Sequence, residues 1–363
     1  MKKGMMIIMK LRKIIGLLII LISGVLFWMM AMLNQIGIAD YHGAVSVRYS
    51  EPVLIRQEIE DIIEAMTSKN DVNIPEVTLW QKEEDILIRR EERDAFVSLD
   101  LIMVAGDMSE VYPGPMAYGG YLSKEDDTGC VIDRNTADRL FGSENAVGMT
   151  IKFREKEYII RGIMQESAGN TMMVQEEDTF SSEQNQKKYS CMELHFQDTG
   201  RGKFLAERFV LVNGFGTPAA YIDGYVYQKL SYLLIHIPLW FCALLIIIWS
   251  VRKVYSLKNS PLLILTGVLG IAVLSILLIK ITNIHIYYPS SLIPNKWSDF
   301  DFWGDKIRGM VSSIGGREGV INYYKEVMLK RRLLFVVWGV VLATAAEGLL
   351  IKKVSGSYYS NCK

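Results

Sequence analysis

TADRLFGSENAVGMTIKFREKEYIIRGI, residues Thr136 to Ile163, is the stretch whose reading decides the fold. A short amphipathic helix ends at Leu140-Phe141-Gly142. A Val147-Gly148 turn follows, and then two strand-like runs separated by one charged cluster form a hairpin. Gly142 and Gly148 permit tight backbone turns, and Leu140 and Phe141 are placed to cap the helix against a sheet. No set of side chains here has the make-up of a catalytic site. The order of helix, FG, VG and hairpin is that of a scaffold module.

Outward from it, the chain alternates strand and helix patterns. AVSVRY (44–49) alternates apolar and polar residues as a half-buried strand does. Pro52 opens VLIRQEIEDIIEAM, where Ile55, Ile59, Ile62, Ile63 and Met66 recur at helical spacing with acidic side chains between them. EVTLWQ and ILIRREER are expected to be two strands, and AFVSLDLIMVAG a longer buried one. Residues 106–129, rich in Gly, Pro, Ser and Asp, form a loop before the strand GCVID and the helix RNTADRLFG. KYSCMELHF (188–196) is expected to be a strand, GKFLAERFVLVNG a helix, and AAYIDGYVYQKL a strand that leads into an apolar run. EEDTFSSEQNQKK, ahead of KYSCMELHF, is a polar surface stretch. The pattern is α+β with mixed sheets and shows no internal repeat.

Half of the 363 residues are hydrophobic and 22% are charged, which suits a chain with a membrane part and a water-facing part. Four runs approach the ~20 apolar residues that a bilayer requires: Ile14–Leu33, Leu230–Val251, Pro261–Ile279 and Leu333–Ile351. The fourth carries Glu347 about one turn from its end, where a carboxylate reaches headgroups at modest cost. The first follows five Lys and Arg, as a signal peptide would. Its length, near 20 residues, exceeds the roughly 7–15 of a signal peptide's apolar core and favours a retained anchor.

Charge sets the expected orientation. Residues 34–229 hold 34 Asp and Glu against 20 Lys and Arg, a formal charge of −14. The segments 1–13, 252–260 and 352–363 hold 11 Lys and Arg and no acidic residue. With four spans these basic segments share one side, the cytoplasmic one, and the acidic segment lies outside. Lys330-Arg331-Arg332, at the outer end of the fourth run, is the one exception. The acidic excess would concentrate cationic peptides near the domain and repel anionic ones.

The chain lacks the chemistry of common catalysts. It has no G-x-x-x-x-G-K-[ST] phosphate loop, no H-E-x-x-H and no cysteine pair at zinc spacing. His42, His195, His236 and His285 are scattered, and no metal or cofactor is expected. The acidic runs lack the ligand spacing of a calcium loop. Cys130 and Cys191 fall in the exported segment, either as a disulfide or as two buried thiols in separate strands.

Residues 104–165 resemble the periplasmic core domain of MacB/FtsX-type ABC transporter permeases. A V-x-G-D strand (Val104, Gly106, Asp107) precedes a Gly-rich loop, and a V-I-D strand (Val131, Ile132) leads to a helix ending in L-F-G (Ala137, Leu140, Phe141, Gly142). A V-G turn (Val147, Gly148, Ile151) and a hairpin ending in G-I (Ile160, Gly162, Ile163) complete the match. The resemblance implies an α+β extracytoplasmic MacB-like core inserted between helices 1 and 2 of a four-helix transmembrane region. It divides the chain into an N-terminus with the first helix (1–33), the core domain (34–229), helices 2 and 3 with a short cytoplasmic loop (230–281), an extracytoplasmic aromatic-containing loop (282–332), and helix 4 with a cytoplasmic tail (333–363).

It also implies partners: a separate cytoplasmic ATPase, a second permease copy and the plasma-membrane bilayer, with no nucleic acid. Arg252, Lys253, Tyr255 and Lys258, in the one internal cytoplasmic loop, are the candidate ATPase contacts; as plain positive-inside anchors they have an equally simple reading. RKVYSLKNS (252–260) departs from the family's docking pattern, R-E-I-G-I-L-R-A-L-G. The 282–330 segment is longer than the family's usual connection, and its Trp297, Phe300, Phe302 and Trp303 suit either the membrane interface or a folded cap. A sensory or binding subunit uncoupled from ATP is the alternative function. An enzyme of the cell surface is a third, with no catalytic constellation behind it.

Overall fold

The computed structural model describes residues 2–39, 44–90, 95–154, 156–167, 169–176, 187–197, 201–256, 261–282, 301–302, 304 and 324–361. In chain order the elements are α1 (Lys2–Ala39), β1 (Ala44–Arg48), β2 (Leu54–Ile55), α2 (Arg56–Ser68), β3 (Glu76–Arg90), β4 (Ala95–Ala105) and α3 (Met108–Val111). Next come β5 (Met116–Gly119), β6 (Gly129–Asp133), α4 (Arg134–Phe141), β7 (Thr150–Phe153), β8 (Lys156–Met164) and β9 (Thr171–Gln175). The remainder are β10 (Lys188–Tyr189), β11 (Cys191–His195), α5 (Gly202–Val212), β12 (Ala220–Asp223), α6 (Gly224–Ile235), α7 (Ile237–Ser256), α8 (Pro261–Thr282) and α9 (Tyr324–Asn361). They separate into an α+β domain, Asp40–Tyr227 with Gly309–Lys330, and a helical unit made of the rest.

The domain is built on one mixed sheet of order β12-β1-β11-β3-β4-β9-β6-β8-β5, with β7 paired to β8. β4 runs parallel to β9, and β6 to β8; neighbours elsewhere in that order are antiparallel. Two apolar cores form on it. One joins Leu101, Ile132, Leu140, Phe141, Ile160 and Ile163, around the module that opens the sequence analysis. The other joins Val47, Leu79, Ile59, Met192, Leu205 and Phe209, where α2 and α5 bring their apolar faces. Each helix buries one stripe, so the expected amphipathic pattern translates directly into packing.

Five local features differ from the sequence reading, the first being that residues 106–129, expected to be loop, hold α3 and β5. EVTLWQ and ILIRREER are one strand, β3, with a register shift between Glu83 and Ile86 and Asp85 at φ 57°. A bulge of this kind keeps a ladder continuous across a break in alternation. TMMVQ, which has no alternation, is β9, a strand buried along its whole length. AAYIDGYVYQKL holds only four strand residues, because the Asp223 carboxylate accepts the Tyr225 amide at 3.0 Å and starts α6. The fourth apolar helix begins at Tyr324, inside the stretch expected to be loop, and its residues up to Lys330 belong to the domain.

Among the described residues, three helices are long and apolar enough to cross a membrane: Ile14–Ile38, Gly224–Ile248 and Tyr324–Lys353. Within α8 the apolar stretch Gly267–Leu277 is shorter. Small residues let α1 and α9 approach closely. A Cβ on Gly339 would lie 2.7 Å from the Phe27 carbonyl oxygen, and one on Gly24 would lie 3.2 Å from the Ala346 Cβ. The Trp28 indole N–H donates to the Ile235 carbonyl at 2.9 Å, at the break between α6 and α7. There the His236 ring bonds to the Tyr232 carbonyl oxygen at 2.7 Å.

Candidate functional site

The opening module folds as its residue types dictate. Asp133 caps α4, its carboxylate accepting the amides of Asn135 (3.0 Å) and Thr136 (3.2 Å). It also accepts the Thr171 amide at 2.8 Å and the Thr136 hydroxyl, so one buried carboxylate fixes both the start of α4 and the start of β9. Leu140 and Phe141 are buried, and the Arg90 guanidinium lies over the Phe141 ring at 4.6 Å. Gly142 closes the helix in the left-handed region at φ 70°, where a Cβ would be strained. Val147 is exposed, and the Gly148 amide donates to the Ile160 carbonyl at 2.8 Å. A Cβ on Gly162 would overlap the Gly120 carbonyl oxygen, so this backbone approach admits only glycine.

At the other end of the motif, Asp107 caps α3 by accepting from the Ser109 amide at 2.9 Å and hydroxyl at 2.7 Å. The Gly106 carbonyl accepts the Gln175 side-chain amide at 3.0 Å. Gly106, Asp107, Leu140, Phe141, Gly142, Val147, Gly148 and Gly162 serve as caps, turns and core rather than converging on one cleft.

A charged cluster that the sequence reading missed lies elsewhere in the domain. Arg48 Nη1 is 2.7 Å from Glu193 Oε1, and its Nη2 is 2.5 Å from Glu326 Oε1. Lys325 Nζ is 2.9 Å from Glu193 Oε2 and donates to the Glu110 carbonyl at 3.3 Å. Glu193 also accepts the Trp80 indole N–H at 3.0 Å and the Ser46 hydroxyl. The Arg48 guanidinium lies 4.7 Å from the Trp80 ring centroid. All four charged side chains are at most 3% exposed. Beside them, the Tyr324 ring sits 4.4 Å from that of Tyr112, whose hydroxyl donates to the Glu166 carbonyl at 2.6 Å.

Two cations and two anions make the cluster neutral. Burial pushes the Glu193 carboxyl up, but Arg48 and Lys325 outweigh it and hold the group at about 2. Burial likewise works against the Arg48 charge, and Glu193 with Glu326 holds it above its ordinary value. A carboxylate this well supplied with donors does not exchange protons near neutrality. The arrangement holds three chain segments together and has no chemistry to offer a substrate. In sequence, Arg48 and Glu193 read as the polar positions of alternating strands, and no spacing ties them to residues 325 and 326.

The remaining expectations separate plainly. Cys130 and Cys191 are free and buried, on β6 and β11 with three strands between them. At roughly 4.8 Å per strand step that gap excludes a disulfide. Burial pushes the Cys191 thiol up to about 11. His195 Nδ1 is 3.4 Å from Glu110, and among the described residues no group of His, Cys, Asp or Glu is placed to hold a metal. Arg252, Lys253 and Tyr255 stand on the last turns of α7. Lys258, His42, His285, Trp297, Phe300 and Trp303 lie outside the described residues.

Comparison with known proteins gives the fold a family. Residues 14–198 match the MacB-like periplasmic core domain family. No curated relative matches by sequence. Among solved structures, the periplasmic region of MacB from Actinobacillus actinomycetemcomitans is similar at 13% identity and TM-score 0.40, over 52% of this chain and 93% of that one. The extracellular domain of the noncanonic ABC-type transporter YknZ from Gram-positive bacteria is similar at 15% identity and TM-score 0.38, over 50% and 100%. A domain of a putative permease protein from Porphyromonas gingivalis gives 12% identity and TM-score 0.33, over 48% and 84%.

Proposed function

Because this chain belongs to the MacB-like periplasmic core domain family, we propose that it is the permease subunit of an ABC-type system, driven by a separate cytoplasmic ATPase. The observation that carries the reading is the family match over residues 14–198, which takes in both the first apolar helix and most of the sheet. Apolar helices on both sides of the domain support it: α1 before, α6 and α7 after. In this reading the domain lies outside the cell with both termini in the cytoplasm, and α8 is the third of four spans. ATP-driven motion passes through the helices to the domain, for export or for signalling. A second copy or a related permease completes the assembly.

Arg252, Lys253, Tyr255 and Lys258 form the proposed ATPase contact, supported by the excess of positive charge in that loop. The test is purification of the full chain from native membranes in mild detergent, followed by identification of what accompanies it. A P-loop ATPase is expected, and it should be lost when Arg252, Lys253 and Lys258 are replaced by Gln and Tyr255 by Ala. Retention of the ATPase by that variant would remove the contact, and absence of any ATPase would favour an uncoupled sensory subunit. The second reading draws its support from RKVYSLKNS, which lacks the family's docking pattern.

A further inference from the structure

We propose that Tyr324–Lys330 is a reversible latch, in which a neutral Lys325–Glu326 pair on helix α9 docks onto a neutral Arg48–Glu193 pair on the sheet. The docked face is specific. Lys325 reaches Glu193 and the Glu110 carbonyl, Glu326 reaches Arg48, and the Tyr324 ring lies against Tyr112. Met328 and Leu329 are buried behind them. A permanent anchor made of α9 needs only apolar side chains. Charges in such a place add little net stability, because desolvation offsets their attraction, yet removing any single partner is severely destabilising. In a contact built this way the charges fix the register while adding little to the affinity, which suits a joint that is to open as a unit.

The open state is provided for as well. When α9 leaves, Arg48 still has Glu193, 2.7 Å away in the docked structure, and Glu193 still has the Ser46 hydroxyl and the Trp80 N–H beside it. Lys325 and Glu326 depart together, so neither surface is left with a net charge. Turning the helix by one residue, about 100°, takes both side chains from their partners. The latch therefore has one closed position and a charge-balanced open one, and the same helix continues into the apolar run beyond Arg332. This device stands on the domain and α9 alone and requires no partner subunit.

The experiment uses the full chain, purified in detergent, with Leu329→Cys as the reporter and N-ethylmaleimide modification resolved by mass spectrometry at each thiol. Cys130, buried in the core around α4, reports unfolding of the domain as a whole. In this parent, Lys325→Met and Glu326→Gln are each expected to raise the modification rate of the reporter thiol about 100-fold or more, with the Cys130 rate unchanged. Lys325→Met combined with Glu326→Leu leaves the sheet pair matched, so the reporter's rate should return to within about 10-fold of the parent. Single variants that leave the reporter unchanged, that expose both thiols together, or whose effects multiply in the double variant would overturn the latch. None of these readings involves an ATPase, so the permease proposal stands or falls separately.

Discussion

Replacing Glu193 with Gln puts one uncompensated positive charge into the buried cluster, since Arg48 and Lys325 then face only Glu326. Two routes give the cost. Breaking a buried ion pair by removing one partner costs about 3–5 kcal/mol. The Glu193 carboxyl, held at about 2 against an ordinary 4.5, implies about 3 kcal/mol by linkage, at roughly 1.4 kcal/mol per pH unit. For a domain of this size each kcal/mol moves Tm by about 2–4 °C, so Glu193→Gln should lower it by about 6–20 °C. The assay is thermal unfolding of the full chain in detergent, followed by maleimide modification of Cys191, which is buried in the fold.

The pH dependence has a definite sign. A carboxyl whose folded value is depressed stabilises the fold above its unfolded value, and that stability is lost as pH falls through the folded value. The wild-type domain should therefore lose this contribution between about pH 4.5 and pH 2, with about 2 kcal/mol gone by pH 3. Glu193→Gln should be missing that part of the acid sensitivity. A Tm change under about 2 °C at neutral pH, or an unaltered acid slope in the variant, would refute the account of the cluster as a tightly coupled charge balance.

Three further outcomes follow from the packing. Gly162→Ala should lower Tm by about 2–12 °C in the same thiol assay, the backbone having to part at Gly120 to admit a methyl group. Asp133→Ala removes a helix cap and strands the Thr171 amide, at about 2–4 kcal/mol; Asp133→Asn should recover part of this, which Cys130 modification during urea unfolding will show. Cysteines placed at Gly24 and Ala346 should oxidise to an intrachain disulfide, visible as a mobility shift under non-reducing electrophoresis, since the Cβ positions are 3.2 Å apart. Gly339→Leu should abolish that crosslink by forcing α1 from α9.

Much of the fold is legible in the sequence because local chemistry and tertiary packing agree there. The order from Val131 to Ile163 names its own elements: a strand, a helix with one apolar stripe, a glycine that ends it, a hairpin; that Asp133 caps the helix is visible only in the structure. The misreadings have physical causes. β3 reads as two strands because its bulge interrupts the alternation at Glu83–Ile86. β9 escapes notice because a strand buried on both faces has no alternation to show. Tyr324–Lys330 reads as loop because Lys and Glu beside a membrane run look like water-facing residues, whereas Arg48 and Glu193 satisfy them inside the domain.

By itself the sequence determined the apolar runs, the acidic globule between them and the family, since each depends on composition or on residues close together in the chain. Only the tertiary structure decided which charges are buried against one another. Residues 48, 193 and 325–326 meet because β1 pairs with β11 and a helix end is folded back onto both. Attraction between charges acts through distance in space, and a chain's order does not record that distance until it has folded.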